Sequence, residues 1–93
     1  MARILFTIAL LLAALPAQAE CYADYKAKQD DPLRLAYGVA QVSDGNCDPG
    51  SAAGELGPRL AQAGWELLSV MSTFGPEGLS EREASAADHF LRY

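Results

Sequence analysis

The chain has 93 residues and a formal net charge of −5, with 7 Lys and Arg against 12 Asp and Glu. That balance argues against a nucleic-acid partner, because such binding rests on neutralising phosphates with Lys and Arg, and against docking on an anionic membrane surface. Two cysteines and one histidine leave little from which to build a metal centre or a nucleophilic relay, so no cofactor and no metal site is expected.

Met1-Ala2-Arg3 carries one positive charge and runs into an apolar stretch of 12 residues, Ile4 to Leu15. This is shorter than the ~18–20 residues that span a bilayer as a helix. Pro16 and the small-residue pattern Ala17-Gln18-Ala19 follow, which is what signal peptidase reads. Residues 1–19 are therefore expected to be a signal peptide cut between Ala19 and Glu20, leaving residues 20–93 as one small periplasmic or secreted domain without a stable membrane anchor. Glu20 before Cys21 argues against a lipoprotein, which needs a small residue there. Cleavage removes Arg3, leaving 6 Lys and Arg against 12 Asp and Glu, a charge of −6 that serves solubility.

Cys21 and Cys47 are the only cysteines, and in an oxidising compartment they are expected to pair. Closing a loop of about 27 residues stabilises a fold by about 3–4 kcal/mol on the chain-entropy account. A domain this short needs such a staple, because its hydrophobic core is small.

After Cys21, Ala23, Tyr25 and Ala27 alternate with Asp24, Lys26 and Lys28, the period of a half-buried strand; Ala and Lys also suit a short helix. Asp30-Asp31-Pro32 reads as a turn, and a hairpin-like connection leads to a second strand over residues 33–42. There, Leu33, Leu35, Tyr37 and Val39 share one face, and Arg34, Ala36, Gly38 and Ala40 the other. The nearly bare Ala36-Gly38-Ala40 face either admits close approach by a helix, ligand or second subunit, or is an under-filled outer face. Ser43-Asp44-Gly45-Asn46 reads as a loop.

Asp48 and Pro49 have the signature of a helix start, a side-chain cap followed by a proline whose missing N–H costs nothing there. Ala53, Leu56, Leu60 and Ala63 continue an amphipathic spacing, with a kink expected at Gly57-Pro58. Gly64 is placed to stop the helix in the left-handed conformation. Trp65 then opens the most apolar run outside the leader, which predicts a central strand with Leu68, Val70 and Phe74 on one face and Leu67 and Met71 on the other. Ser80-Glu81-Arg82-Glu83 has capping-box spacing, and Phe90-Leu91-Arg92-Tyr93 suits a strand, so a helical turn over 80–84 and a closing strand over 88–93 are expected.

The segment Glu55 to Val70, with Gly64-Trp65-Glu66-Leu67-Leu68-Ser69 at its heart, resembles a widespread bacterial domain of unknown function whose helix ends in Gly-Trp-Glu-Leu-Val-Ser. The chain is also similar to short exported proteobacterial proteins with no assigned role. The resemblance implies a small α+β fold, an antiparallel-type sheet of 3–4 strands packed on one kinked helix with a β-α-β-β core, and transfers no catalytic residue.

No constellation with chemical specificity emerges. Asp44, Asn46 and Asp48 alternate around Gly45, but Pro49-Gly50 breaks calcium-loop spacing. His89 is alone, and a relay would need Asp88, His89 and a serine to converge. The expectation is a non-enzymatic interaction module that binds another protein or itself, with Ala36, Gly38, Ala40 and Trp65 as the possible contact residues. A small-ligand carrier using Tyr37, Trp65 and Tyr93 is the alternative.

Overall fold

The alternation after Cys21 does become a strand. In the computed structural model, which describes residues 20–93, β1 (Cys21–Gln29) turns through Asp30–Leu33 into β2 (Arg34–Val42), α1 (Pro49–Gln62) follows, then β3 (Glu66–Phe74) and α2 (Ser80–Ala86). Short 3-10 turns precede α1 and flank α2. The proposed signal peptide and the Ala19 side of its cut lie outside the described residues; Glu20 is exposed. The three strands form one antiparallel sheet in the order β2-β1-β3. The fold is a small α+β domain with its hairpin before the helix, as the alternation on either side of Asp30-Asp31-Pro32 implies; the elements run β-β-α-β, and the second strand after the helix that completes a β-α-β-β core is absent among the described residues.

β1, not β3, is the central strand. Its odd positions Cys21, Ala23, Tyr25 and Ala27 are buried beneath α1. Opposite them on β2 stand Val42, Ala40, Gly38 and Ala36, whose small side chains let the helix and the Tyr25 ring lie close. α1 contributes Ala52, Leu56 and Leu60, four residues apart and hence one stripe of the helix. Its ends follow local chemistry. The Asp48 carboxylate accepts from Ser51 N–H at 2.9 Å, and Pro49 stands at the first turn. At the other end Gly64 has φ 85°, Gly64 N–H donates to Ala61 O at 3.0 Å and Trp65 N–H to Leu60 O at 2.9 Å, a Schellman closure. Pro58 lies inside α1 on an exposed position, and the helix continues past it to Gln62.

β3 departs from strict alternation at two bulges. Asp24 pairs with Ser72 but Tyr25 with Val70, and Lys26 pairs with Ser69 but Ala27 with Leu67, so Met71 and Leu68 are the extra residues. Leu67 and Val70 therefore both pack toward α1, and Phe74 lies on the other face. That second face carries a smaller cluster in which Tyr22, Val39 and Ala86 are buried with Tyr37, Phe74, Leu79 and Phe90 around them.

The expected strand at the chain's C-terminal segment is reduced to one bridge. Ala87–His89 is a 3-10 turn, Phe90 bridges Val39 in parallel, and Leu91 N–H donates to Val39 O at 2.8 Å. Two residues in this segment, Ala87 and Leu91, take positive φ. These turns send Phe90 into the α2-side cluster and Tyr93 into the α1-side core. The capping box does not form either: α2 starts at Ser80 with Leu79 before it and without a side-chain cap.

The staple is present. Cys21 and Cys47 are bonded, with Cα atoms 5.8 Å apart, which ties the start of β1 to the loop that leads into α1.

Candidate functional site

Three places on the molecule concentrate polar or exposed apolar chemistry. The first is internal. Asp24, on the central strand, is 6% exposed and receives three donors: Ser72 Oγ at 2.7 Å, Tyr37 Oη at 2.8 Å and Arg82 Nε at 3.2 Å. Burial alone would push its carboxyl up, but hydrogen bonds from Ser72, Tyr37 and Arg82 and the nearby guanidinium charge outweigh it and hold the group below the usual aspartate range. The same environment pushes Tyr37 up to about 12, through burial first and its bond to Asp24 second. Arg82 also lies 4.0 Å over the Phe74 ring and donates to Gly78 O at 2.8 Å. This network joins all three strands to α2. Every carboxylate oxygen is engaged, so Asp24 is a structural keystone and not a free base.

The second place is the uncovered half of the sheet. α2 covers the Tyr22–Phe74 end of the outer face, and the opposite end is left bare. Leu33, Leu35 and Leu68 are 65%, 71% and 48% exposed, and Met71 at the second bulge 50%. Lys26, Leu35, Tyr37 and Leu68 line an apolar groove of about 250 Å³ there. The Leu68 bulge follows from β3's irregular register and turns an apolar side chain outward where the sheet edge is unpaired.

The third place lies where α1 ends and the C-terminal segment returns. Trp65, placed by the Gly64 closure, meets His89 edge to face at 5.2 Å, and His89 stacks on Tyr93 at 5.9 Å. These rings, with Arg34, Arg92, Asp88 and Gln29, line a cleft of about 460 Å³.

The structure sorts the residues expected from sequence. Gly38 and Ala40 are buried in the chain's own core, beneath Tyr25 and α1, so close approach by a helix is the reading that holds for the Ala36-Gly38-Ala40 face. It is no free contact surface, although Ala36 keeps partial exposure. Trp65 and Tyr93 come together in the cleft, but Tyr37 is in the opposite cluster with its hydroxyl on Asp24, so the three aromatics do not form one site. Asn46 Nδ2 donates to Glu55 Oε1 at 2.8 Å and Asp48 caps α1, which engages two of the three side chains that alternate around Gly45. The serine nearest a carboxylate, Ser72, serves Asp24 and not Asp88 or His89.

Sequence reasoning passed over Asp24, Arg82, Arg34 and Arg92. A charged residue at a position whose neighbours pack on both sides was the available signal for Asp24; nothing local marks the arginines, since their neighbourhood is made by chain segments more than fifty residues apart. Among the described residues no helix is long and apolar enough to cross a membrane. Compared with known proteins, the chain matches no family model, no curated protein and no solved structure.

Proposed function

We propose that the chain is an exported, non-enzymatic interaction module that binds an apolar protein segment with acidic flanks on the bare half of its sheet. The observation that carries this reading is the joint exposure of Leu35 and Leu68 around one groove, on a face whose other half the chain covers with its own helix. Contiguous exposed apolar side chains of this kind mark contact sites. Lys26 lines the groove in a chain of net negative charge, and its ammonium group supplies the complement for acidic flanks. The free edge of β3 next to it offers backbone donors and acceptors for strand addition. The Cys21–Cys47 disulfide fits an oxidising compartment and supports export.

The test is photo-crosslinking from position 35 in the full-length chain expressed in its own cells, with position 61 on the exposed face of α1 as reference. A single adduct from position 35 only, lost in Lys26→Glu and at raised salt, supports the proposal. Adducts of twice the chain's mass would replace the partner with a second copy, and equal labelling from both positions, or none, would overturn it. All three substituted side chains, at positions 26, 35 and 61, are exposed, so the variants retain the fold.

A further inference from the structure

The cleft beside Trp65 has a charge arrangement that the interaction reading does not use. Lys28, Arg59 and Arg82 each lie against a carboxylate, Asp30, Glu55 and Asp24 respectively. Arg34 and Arg92 have no such partner among the described residues, and both line this cleft. They arrive there from the start of β2 and from the C-terminal segment, 58 positions apart in the chain. In a chain of net charge −5, two unneutralised guanidiniums converging on one concavity are a local reversal of sign. Three aromatic rings contribute to the cleft beside them: Trp65, His89 and Tyr93 form a continuous row, all half-buried, and the Arg92 guanidinium stands 5.7 Å from the Tyr93 ring centroid. Asp88 is the acidic group that lines the same cleft.

We infer that this cleft binds a small planar organic anion, an oxyanion group carried on an unsaturated ring. Guanidinium forks match carboxylate and phosphate geometry through paired N–H donors, and aromatic rings prefer to pack against a flat unsaturated body. The volume of about 460 Å³ falls within the range of small-molecule sites, which is about 300–1,000 Å³. Asp88 opposes the ligand's charge and sets its affinity from the acidic side.

The probe set is benzoate, phenyl phosphate, inorganic phosphate and benzylamine, titrated into the full domain while the fluorescence of Trp65, the single tryptophan, is followed. Saturable quenching by benzoate or phenyl phosphate is expected, which of the two binds tighter identifies the oxyanion, and benzylamine should give none. Arg34→Gln and Arg92→Gln should each weaken binding roughly tenfold, the loss of one charge-assisted hydrogen-bond pair. Asp88→Asn should tighten it several-fold, which a merely structural role would not produce. Amide shifts at residues 34, 63–65 and 88–93, with Lys26 and Leu68 of the groove unmoved, would separate this site from the protein-binding face. Equal quenching by benzylamine, insensitivity to both arginine substitutions, tighter binding of bare phosphate than of either ring compound, or no saturable response would each overturn the inference.

Discussion

Tyr25 and Gly38 face each other across the β1–β2 ladder, and the phenol ring occupies the space that a side chain at Gly38 would need. A Cβ built on Gly38 would collide with Cζ and Oη of Tyr25, and Tyr25 is 1% exposed, so the ring has nowhere to go. Covering a strand glycine with a cross-strand aromatic restores the packing that the glycine lacks. Gly38→Ala should therefore destabilise the domain by about 1–3 kcal/mol, the usual cost of overfilling a packed core. Gly54→Ala is the counterpart: it lies on the exposed side of α1 with nothing near its added carbon, and should stabilise by about 0.5–1 kcal/mol. Urea unfolding of the two variants should move the midpoint in opposite directions; a shift of the same sign would show that Tyr25 does not hold this position.

The Tyr25 hydroxyl is buried without a hydrogen-bond partner among the described residues. Burial, with Tyr93 as the next contributor, pushes it up to about 12. The folded state therefore keeps this proton when the unfolded chain has already released it. Stability from this group is intact below the ordinary value of 10.0 and is lost as pH rises toward 12. Tyr25→Phe removes an unsatisfied donor and should be neutral or slightly stabilising at pH 7. It should also shallow the alkaline loss of stability, measured by urea midpoints between about pH 9 and pH 11.

Asp24 predicts the opposite limb. Its folded-state carboxyl lies below the ordinary 3.8, so the unfolded chain takes up the proton first on acidification. The stabilisation is complete above that ordinary value and falls away as pH drops through the lower folded one. Asp24→Asn should flatten the acid limb relative to the parent. Arg82→Ala, which leaves a buried carboxylate with two neutral donors, should cost about 2–4 kcal/mol at neutral pH. Chemical unfolding at about pH 7 reads the Arg82→Ala loss and a series from about pH 5 down to pH 3 reads the acid limb; parallel acid limbs in parent and Asp24→Asn would refute the assignment.

Reduction of Cys21–Cys47 releases the constraint on the unfolded chain that the sequence separation of 26 implies. A loss of about 3–4 kcal/mol is expected for the reduced domain or for a paired Cys→Ser variant. Because β1 is central to the sheet, its loosened start should be felt across both ladders. Hydrogen exchange should show weaker protection at Ala23 and Ala40 together, and protection unchanged at both would locate the staple's effect elsewhere.

The ends of α1 were legible because their signals are local: Asp48, Pro49 and Gly64 each act within a turn of their own position. The faces of β1 and β2 were legible because unbroken alternation transmits from residue to residue. The order of the strands was not. β3 is the most apolar and looks central, yet it is an edge whose surplus apolar residues, Leu68 and Met71, go outward at bulges. β1 carries three lysine and aspartate side chains in its middle and still lies between two partners, because one of them, Asp24, is answered by groups from β2, β3 and α2. Pairing and bulging depend on segments distant in the chain, and no short window contains them. The aromatic C-terminal segment misleads for the same reason: Phe90 and Tyr93 are spaced to plug two different faces, with Leu91 at φ 54° turning the chain between them.

That C-terminal segment also determines how this sheet can grow. By claiming Val39 on the outer side of β2, it interrupts one margin of the sheet and leaves the β3 margin as the open one. A sheet with two open margins can recruit copies without limit, whereas one with a single open margin is satisfied after one addition. The expected consequence is that any strand addition through β3 stops at a finite complex, and that a step from a pair to a fibre would require Phe90 and Tyr93 to be pulled from both faces at once.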